Sequence, residues 1–300
     1  MRRTLFSATA VVAGLLLASC GSDSNDSAAT TTAAGAGAAS TAAGAAGDAK
    51  ACAAGKTLAA GKLTIATGTP AYPPYVIDDK PESGQGFEAA VAMAVAGQLG
   101  FGADTVTWVR TGFDEAIQPG PKTFDFNLQQ YTITPERAKA VSFSAPYYTS
   151  SQAILGFADS KAASAKTVAD LKDVKLGAAV GTTSLDFIAQ TIKPTTAALV
   201  FNDNAGAKQA LESKQIDAVV TDLPTALYIT GSEIEGTKVF GQFPVAEGQG
   251  DQLGMLFAQG NPLVECVDQA LANLKQSGEL ESITTKWMSD YTEAPVISLG

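Results

Sequence analysis

The sequence predicts an α/β protein with two lobes, and three observations lead to that prediction. Strand and helix patterns alternate along the chain from Lys62 onwards, and the alternation restarts after Gln152–Phe157. Such alternation is typical of sheets whose faces are covered by helices. Beyond an apolar N-terminal leader and the Ala-, Gly-, Ser- and Thr-rich segment up to residue 50, about 250 residues remain, which is enough for one large or two small domains.

The first series contains short apolar strand patterns and one long Ala- and Val-rich helix pattern, which ends at Gly100. Its elements are the strand Lys62–Ala66, the helix Phe87–Leu99, the strands Thr105–Val109 and Phe124–Leu128 with a short helix between them, and the strand Gln152–Phe157. The second series repeats the alternation and ends in two helices. Its elements are the helical turn Val168–Leu171, the strand Lys175–Val180, the helix Ser184–Thr191, the strand Ala198–Phe201, the helix Ala205–Ser213, the strand Asp217–Thr221, the helix Pro224–Ile229, the strand Gln252–Phe257, and the helices Pro262–Gln276 and Leu280–Met288.

The N-terminus has the features of a secretory leader. Arg2 and Arg3 precede an apolar stretch, residues 11–17, that is too short to remain as a membrane-spanning helix. The junction 17–20, Leu-Ala-Ser-Cys, resembles the lipobox of bacterial lipoproteins. This resemblance implies a signal peptide at 1–19, cleavage before Cys20, and a diacylglyceryl thioether on Cys20. The alternative is an ordinary secretory leader in which this Cys is incidental.

Residues 21–50 are nearly all Ala, Gly, Ser and Thr, without any aromatic residue or any Val, Ile, Leu or Met. A segment with nothing to bury cannot offset its ordering entropy. We therefore expect residues 20–56 to be a lipid-anchored, disordered linker between the membrane and the folded part.

The charge and the rare residues exclude several classes of function. Removal of the leader leaves 18 Lys and Arg against 30 Asp and Glu, and this acidic balance argues against nucleic acid as a partner. The chain contains no His, so His-based triads, bases and metal ligands are excluded. With Cys20 assigned to lipid, Cys52 and Cys266 are left as a disulfide pair for an oxidising compartment, the alternative being two free thiols.

Several motifs occur in order between about residues 60 and 290, the span over which the pattern applies. They are Thr132–Arg137 (TITPER), Ala140–Tyr148 (AVSFSAPYY), Gly181–Ser184 (GTTS), Asp217–Asp222 (DAVVTD), Gly260–Pro262 (GNP) and Lys286–Trp287. Together they resemble the signature of solute-binding protein family 3, the periplasmic-type binding proteins of polar amino-acid ABC transporters.

The resemblance implies a type II periplasmic binding protein (flytrap) fold, in which two lobes joined by two hinge strands close on the ligand. Lobe 1 would comprise 57–150 plus 257–300 and lobe 2 would comprise 151–256, with hinge strands at Gln152–Phe157 and Gln252–Phe257. It also implies a bacterial extracytoplasmic protein, lipid-anchored at the cell membrane, that delivers a free amino acid to the permease subunits of an ABC importer. We expect a monomer without catalytic activity, metal or cofactor.

The chemistry of a free amino acid suggests which residues bind it. A guanidinium pairs with a carboxylate through two parallel hydrogen bonds, which assigns Arg137 to the α-carboxylate, with Thr132 beside it. Thr182 and Thr183 follow a strand at a helix start, where unpaired amides also suit a carboxylate. Asp222 ends a strand, and its carboxylate can accept a hydrogen bond from the α-ammonium.

Each assignment has a structural alternative. Arg137 can be solvated or paired with a neighbouring acid, and Thr182, Thr183 and Asp222 can be helix N-caps. The resemblance places Tyr72 and Phe113 on either side of the ligand side chain, although aromatic residues are more often part of a core.

Two departures from the family pattern concern ligand class. Thr69 stands where many members have an acid, and Gln130 stands where many have Gly. The first change removes a partner for a cationic side chain, and the second adds an amide and narrows the pocket. Both favour a neutral polar or acidic amino acid over Lys or Arg. Two other functions stay open, a ligand-binding sensor lipoprotein without a permease and a dehydratase on the same scaffold.

Overall fold

A computed structural model of the chain describes residues 48–245, 250–291 and 294–299. The predicted signal peptide, the predicted lipidation site at Cys20 and the predicted linker up to residue 47 lie outside the described residues. Within the described part, no helix combines the length and the apolar character needed to cross a membrane.

Strands and helices alternate along most of the described chain. The strands are β1 Leu63–Gly68, β2 Val106–Thr111, β3 Phe126–Asn127, β4 Val141–Phe143, β5 Tyr148–Ser150, β6 Gln152–Phe157, β7 Leu176–Ala179, β8 Leu199–Phe201, β9 Ala218–Asp222, β10 Thr237–Gln242, β11 Asp251–Leu253 and β12 Leu256–Ala258. The α-helices are α1 Ala49–Ala53, α2 Phe87–Gln98, α3 Phe113–Ile117, α4 Thr183–Phe187, α5 Asn204–Glu212, α6 Leu223–Tyr228, α7 Val264–Gln276 and α8 Glu279–Met288.

The first sheet has the strand order β2-β1-β3-β12-β4. β1 runs parallel to β2 and β3, whereas β12 runs antiparallel to β3 and β4. Phe87, Val91 and Val95 recur on one face of α2, and all three are fully buried in a core shared with α7 and α8. This apolar stripe explains why α2 packs against the sheet.

The second sheet has the strand order β10-β6-β9-β7-β8. β7 is parallel to β8 and β9, and β6 is antiparallel to β9 and β10. Along β6, Ile154 belongs to the core on one face, whereas Ala153 and Leu155 belong to the core on the other. Burial on both faces explains the continuous apolar run of this strand. The sequence analysis missed the edge strand β10.

Two short strands connect the sheets. β5 leads from the first sheet to the second, β11 leads back, and the two pair antiparallel. The predicted hinge location was wrong at Gln152–Phe157, which is β6 of the second sheet. The predicted hinge strand Gln252–Phe257 is divided between β11 and β12. A doubly buried strand and a connecting strand look alike in sequence, since both are short apolar runs.

The N-terminal boundary of the folded part also differs from the prediction. Residues 49–53 form α1 rather than disordered linker, with the Asp48 side chain accepting a hydrogen bond from the Ala51 amide. Ala49 and Ala53 are buried in the core that contains α7. Cys52 is bonded to Cys266 with a Cα–Cα distance of 5.4 Å, which confirms the predicted disulfide. Small side chains and this bond hold an otherwise featureless segment against α7.

The last described residues, 294–299, lie on the second sheet, although the sequence analysis placed the chain up to residue 300 in lobe 1. The Gln242 amide donates to the Pro295 carbonyl (2.7 Å), and the Ile297 amide donates to the Gln242 carbonyl (2.9 Å). Ile297 is 1% exposed in the core of that sheet. A tail with a single apolar anchor has no periodicity, so its sequence does not show which lobe buries it.

Candidate ligand-binding site

A cavity of about 280 Å³ lies between the two sheets and is lined by residues from both. Its size suits a small molecule of amino-acid dimensions. Every residue predicted to bind the ligand lines it, namely Tyr72, Phe113, Gln130, Thr132, Arg137, Thr182, Thr183 and Asp222. Their roles toward a ligand remain predictions, but the fold brings all of them to one place.

Arg137 is buried at one side of the cavity, with 8% of its surface exposed. Its Nη1 donates to the Thr132 carbonyl and its Nη2 to the Gly181 carbonyl, each at 2.8 Å. The guanidinium also lies over the Phe113 ring, 5.3 Å from its centroid. Burial lowers the pKa of Arg137, yet a guanidinium stays charged at neutral pH. Its remaining N–H donors are available to an anion in the cavity.

The turn that leads from β7 to α4 requires glycine. Gly181 has φ of +71°, and a Cβ at this position would lie 2.5 Å from Oδ1 of Asp114 in the other lobe. The absence of a side chain therefore lets the turn approach the first lobe closely and place its carbonyl on Arg137.

The two threonines of this turn have different partners. Thr182 is the N-cap of α4, because its Oγ1 accepts from the Leu185 amide at 3.2 Å. This contact bears out the structural alternative for Thr182, whose hydroxyl also donates to the Ala179 carbonyl. The Thr183 hydroxyl lies 3.4 Å from that of Thr132, so the two face each other across the lobes.

Asp222 is both a helix cap and a cavity residue. Its Oδ1 accepts from the Thr225 amide at 3.0 Å and from the Tyr75 hydroxyl, in the other lobe, at 2.7 Å. Its Oδ2 lies 3.3 Å from the Thr221 hydroxyl, and the Thr225 side chain also interacts with this carboxylate. Burial raises the pKa of Asp222, and the hydrogen bonds from Tyr75 and Thr225 oppose that rise. The sequence analysis missed Tyr75 as a partner of Asp222.

Gln130 lines the cavity in a left-handed conformation with φ of 52°, which explains why glycine suits this position. Its amide N–H donates to Oε1 of Glu88 at 2.8 Å, and its side-chain nitrogen donates to Oε2. The side-chain nitrogen that Gln130 brings to this position is therefore bonded to Glu88. The sequence analysis did not predict this contact. Glu88 also accepts from the Tyr147 hydroxyl. Burial raises the pKa of Glu88 to about 7, although the bonds from Tyr147 and Gln130 lower it.

The two predicted aromatic residues line the cavity and are half-buried. Phe113 begins α3 and stacks on Tyr131, with ring centroids 4.7 Å apart. Tyr72 lies on the other side of the lining, where the Lys208 ammonium is 5.3 Å from its ring centroid. Burial, followed by the charge of Asp203, raises the pKa of Tyr72 to about 12.

Several further polar residues line the cavity and were not predicted, among them Gln152, Asp203 and Asp251. Gln152 opens β6, and its Nε2 donates to Asp251 and, at 3.2 Å, to Thr183. No motif marks these residues, because a polar residue at the end of a strand is common. Among the described lining residues, Arg137 is the only one with a cationic side chain.

Comparison with known proteins places this arrangement in a family. The family model for bacterial extracellular solute-binding proteins, family 3, matches residues 63–290. The chain belongs to this family. It is 28% identical over 226 residues to the L-cystine-binding protein TcyJ of Escherichia coli (strain K12), covering 74% of this chain and 81% of that protein.

Two further members extend the comparison. The ABC transporter arginine-binding protein 1 of Escherichia coli (strain K12) is 30% identical over 226 residues, covering 72% of this chain and 86% of that protein. The structure of an ancestral arginine-binding protein bound to glutamine is 32% identical, with a TM-score of 0.64, covering 76% of this chain and 98% of that one. The predicted α/β fold of a two-lobed binding protein is thus confirmed, and the cavity lies where its two lobes meet.

Proposed function

We propose that this family 3 solute-binding protein captures a free α-amino acid on the outer face of the cell membrane and delivers it to an ABC importer. The observation that carries the proposal is the convergence of Arg137 and Asp222, from opposite lobes, on one cavity of amino-acid size. The named ligands of the relatives, cystine, arginine and glutamine, are all free amino acids.

The α-carboxylate of the ligand would lie against Arg137. In this closed arrangement the guanidinium is held from both lobes by the Thr132 and Gly181 carbonyls, so its plane is fixed. A planar fork with free N–H donors matches a carboxylate, and a pre-set orientation limits the entropy that binding costs. The Thr183 hydroxyl adds a further polar contact beside it.

The α-ammonium would lie against Asp222. Oδ1 of this carboxylate accepts from Tyr75 and from the Thr225 amide at the start of α6, whereas the contact of Oδ2 with the Thr221 hydroxyl is long, at 3.3 Å, so Oδ2 is the oxygen that we expect to meet the ligand. An ammonium is the expected partner, because a buried carboxylate is costly unless it is paired with a cation. Arg137 and Asp222 therefore supply opposite charges for the two ends of a zwitterion.

A neutral polar side chain fits the rest of the cavity best. An acidic side chain would find no second cation among the described lining residues, where Asp203 and Asp251 add negative charge. A cationic side chain could pair with Asp203, although that carboxylate already caps α5 through the Gly206 amide at 2.8 Å. We therefore place glutamine-like ligands first and arginine-like ligands second.

The contacts between the lobes support closure around the ligand. Arg137 to Gly181, Tyr75 to Asp222 and Thr132 to Thr183 each join one lobe to the other beside the cavity. A ligand that contacts both lobes would stabilise this closed arrangement through its differential affinity for it.

Isothermal titration calorimetry with all free amino acids tests the proposal. We expect a neutral polar amino acid to bind. We expect Arg137→Ala to weaken that binding by about thirtyfold or more, because removing one partner of a buried charge pair costs about 2–5 kcal/mol. Arg137→Lys should not restore binding, because a point charge lacks the fork. Lys139→Ala, on the exposed side of the same turn, is the matched control. Wild-type affinity in a folded Arg137→Ala protein would refute the assignment.

Membrane attachment is tested separately by cell fractionation. We expect Cys20→Ala to release the protein from membranes or to leave the leader uncleaved, because attachment requires acyl chains on that sulfur. Ser22→Ala, two residues further on, serves as the control. Normal processing and membrane retention of the Cys20→Ala protein would contradict the anchor without affecting the proposal on ligand binding.

A further inference from the structure

A buried network of polar side chains begins at Asn127, beneath the cavity. Asn127 is completely buried, and its Nδ2 donates to the Thr111 hydroxyl at 2.8 Å and to the Tyr131 hydroxyl at 3.3 Å. The reverse orientation of this amide would leave two buried N–H groups without an acceptor. That arrangement costs more than the present one, in which a single carbonyl oxygen, Oδ1, has no partner. The Asn127 side chain therefore donates to both hydroxyls.

The two hydroxyls in turn orient the side-chain amide of Gln129. Each hydroxyl accepts from Asn127, so its own hydrogen is free to be donated. The Tyr131 hydroxyl donates to Oε1 of Gln129 at 2.8 Å, whereas a second acceptor, the Phe113 carbonyl, is more distant at 3.4 Å. The Thr111 hydroxyl lies 3.4 Å from the same Oε1. These contacts determine which end of the Gln129 amide is oxygen, and they leave Nε2 at the other end as a donor.

The Nε2 end of Gln129 faces the cavity. Gln129 and Gly68 both line it, and a Cβ added to Gly68 would lie only 2.9 Å from Nε2. Gln129 is half-buried, whereas Tyr131 and Thr111, which hold its oxygen, are buried. Nε2 has no acceptor among the described residues and keeps accessible surface, unlike the buried and unpaired Oδ1 of Asn127. A fixed N–H donor is therefore available to a ligand.

This donor is available to the side chain of the ligand. In the proposed function, Arg137 binds the α-carboxylate and Asp222 binds the α-ammonium, so both main-chain groups of the ligand already have partners. A further donor in the same cavity requires an acceptor on the rest of the ligand. A carboxamide has such an acceptor in its carbonyl oxygen, whereas a guanidinium or an ammonium has only donors.

We infer that Gln129 is a specificity-determining residue whose Nε2 donates a hydrogen bond to an acceptor on the side chain of the bound amino acid. This inference rests on the proposed function and narrows it to glutamine-like ligands. Glutamate has the same acceptor, but Asp203 and Asp251 also line the cavity and disfavour a second carboxylate on the ligand. An arginine side chain would meet this donor with donors of its own and leave Nε2 unpaired.

Calorimetry with two ligands of the same shape tests the inference. The probes are L-glutamine and L-homoleucine, in which an isopropyl group replaces the carboxamide, and the weaker ligand is measured by competition. We expect Gln129→Met, which keeps the length of the side chain and removes its amide, to weaken glutamine binding at least about tenfold. Homoleucine binding should weaken by about threefold or less, because this ligand has no acceptor for Nε2. Gln276→Met, at an exposed position of α7, is the matched control.

A variant that turns the donor into an acceptor provides a second test. In Gln129→Glu, one carboxylate oxygen would accept from the Tyr131 hydroxyl, and the other would present an acceptor to the cavity in place of Nε2. We expect this variant to bind L-arginine more tightly than L-glutamine, which reverses the order expected for the wild-type protein.

The outcomes separate this inference from the proposed function. Equal effects on glutamine and homoleucine in Gln129→Met, including no effect on either, would show that Nε2 is not used. An unchanged order of ligands in Gln129→Glu, or wild-type protein that binds other amino acids but not glutamine, would also overturn the inference. In all these cases the proposed function stands, whereas wild-type protein that binds no amino acid would refute the proposed function and the inference together.

Discussion

Glu88 makes folding stability depend on pH in the neutral range. This carboxyl group is 1% exposed and accepts hydrogen bonds from the amide and side chain of Gln130 and from the Tyr147 hydroxyl. Burial nevertheless raises its pKa from the usual 4.5 to about 7, and the nearby charge of Asp222 adds to that rise. We therefore expect the Glu88→Gln substitution, which keeps the shape and removes the charge, to alter the pH profile.

The sign follows from the protons bound in each state. Between pH 4.5 and 7 the folded protein holds a proton on Glu88 that the unfolded chain has lost, so the free energy of unfolding falls as pH rises. The stabilisation that comes from this proton is complete below pH 4.5, the pKa in the unfolded chain. It is lost above about pH 7, the pKa in the folded protein. A rise from 4.5 to about 7 corresponds to about 3 kcal/mol across this window.

Urea unfolding at several pH values between 4.5 and 8.5 measures the effect. The difference in unfolding free energy between Glu88→Gln and wild type should grow by about 3 kcal/mol in favour of Glu88→Gln over this range. Glu281→Gln, on the exposed face of α8, controls for the general loss of a carboxylate. Parallel profiles for wild type and Glu88→Gln would refute the reasoning, because the burial of Glu88 would then have no consequence for its ionisation.

Three further predictions concern other contacts. Tyr75→Phe removes the hydrogen bond that joins the lobes at Asp222 and should weaken amino-acid binding about tenfold by calorimetry; unchanged affinity would show that this bond does not favour closure. Replacing Cys52 and Cys266 by Ser should lower the urea-derived unfolding free energy by about 2–5 kcal/mol, and a protein equally stable with and without reductant would contradict this. Ile297→Ala should cost about 2–5 kcal/mol in the same assay, because Ile297 is fully buried on the second sheet; a negligible change would mean that the tail contributes little to folding.

The sequence by itself determined the α/β class and the family, and it predicted the disulfide that the structure confirmed. Alternating strands and helices depend on side-chain periodicity over a few residues, which is visible without a structure. The caps at Thr182 and Asp222 were also within reach, because a cap depends on the few residues that follow it. The ligand roles of Arg137 and Asp222 came from the motifs, and they stay predictions that the shared cavity supports.

Only the tertiary structure decided how these residues are paired. Tyr75 and Asp222 lie 147 residues apart, and Glu88 and Gln130 lie 42 apart, so no local pattern connects them. The fixed orientation of Gln152 depends on Asp251, which is 99 residues away. The hinge strands and the docking of the tail through Ile297 were misplaced for the same reason. Periodicity and capping are local properties of a chain, whereas side-chain partners between lobes are set by the packing of whole sheets.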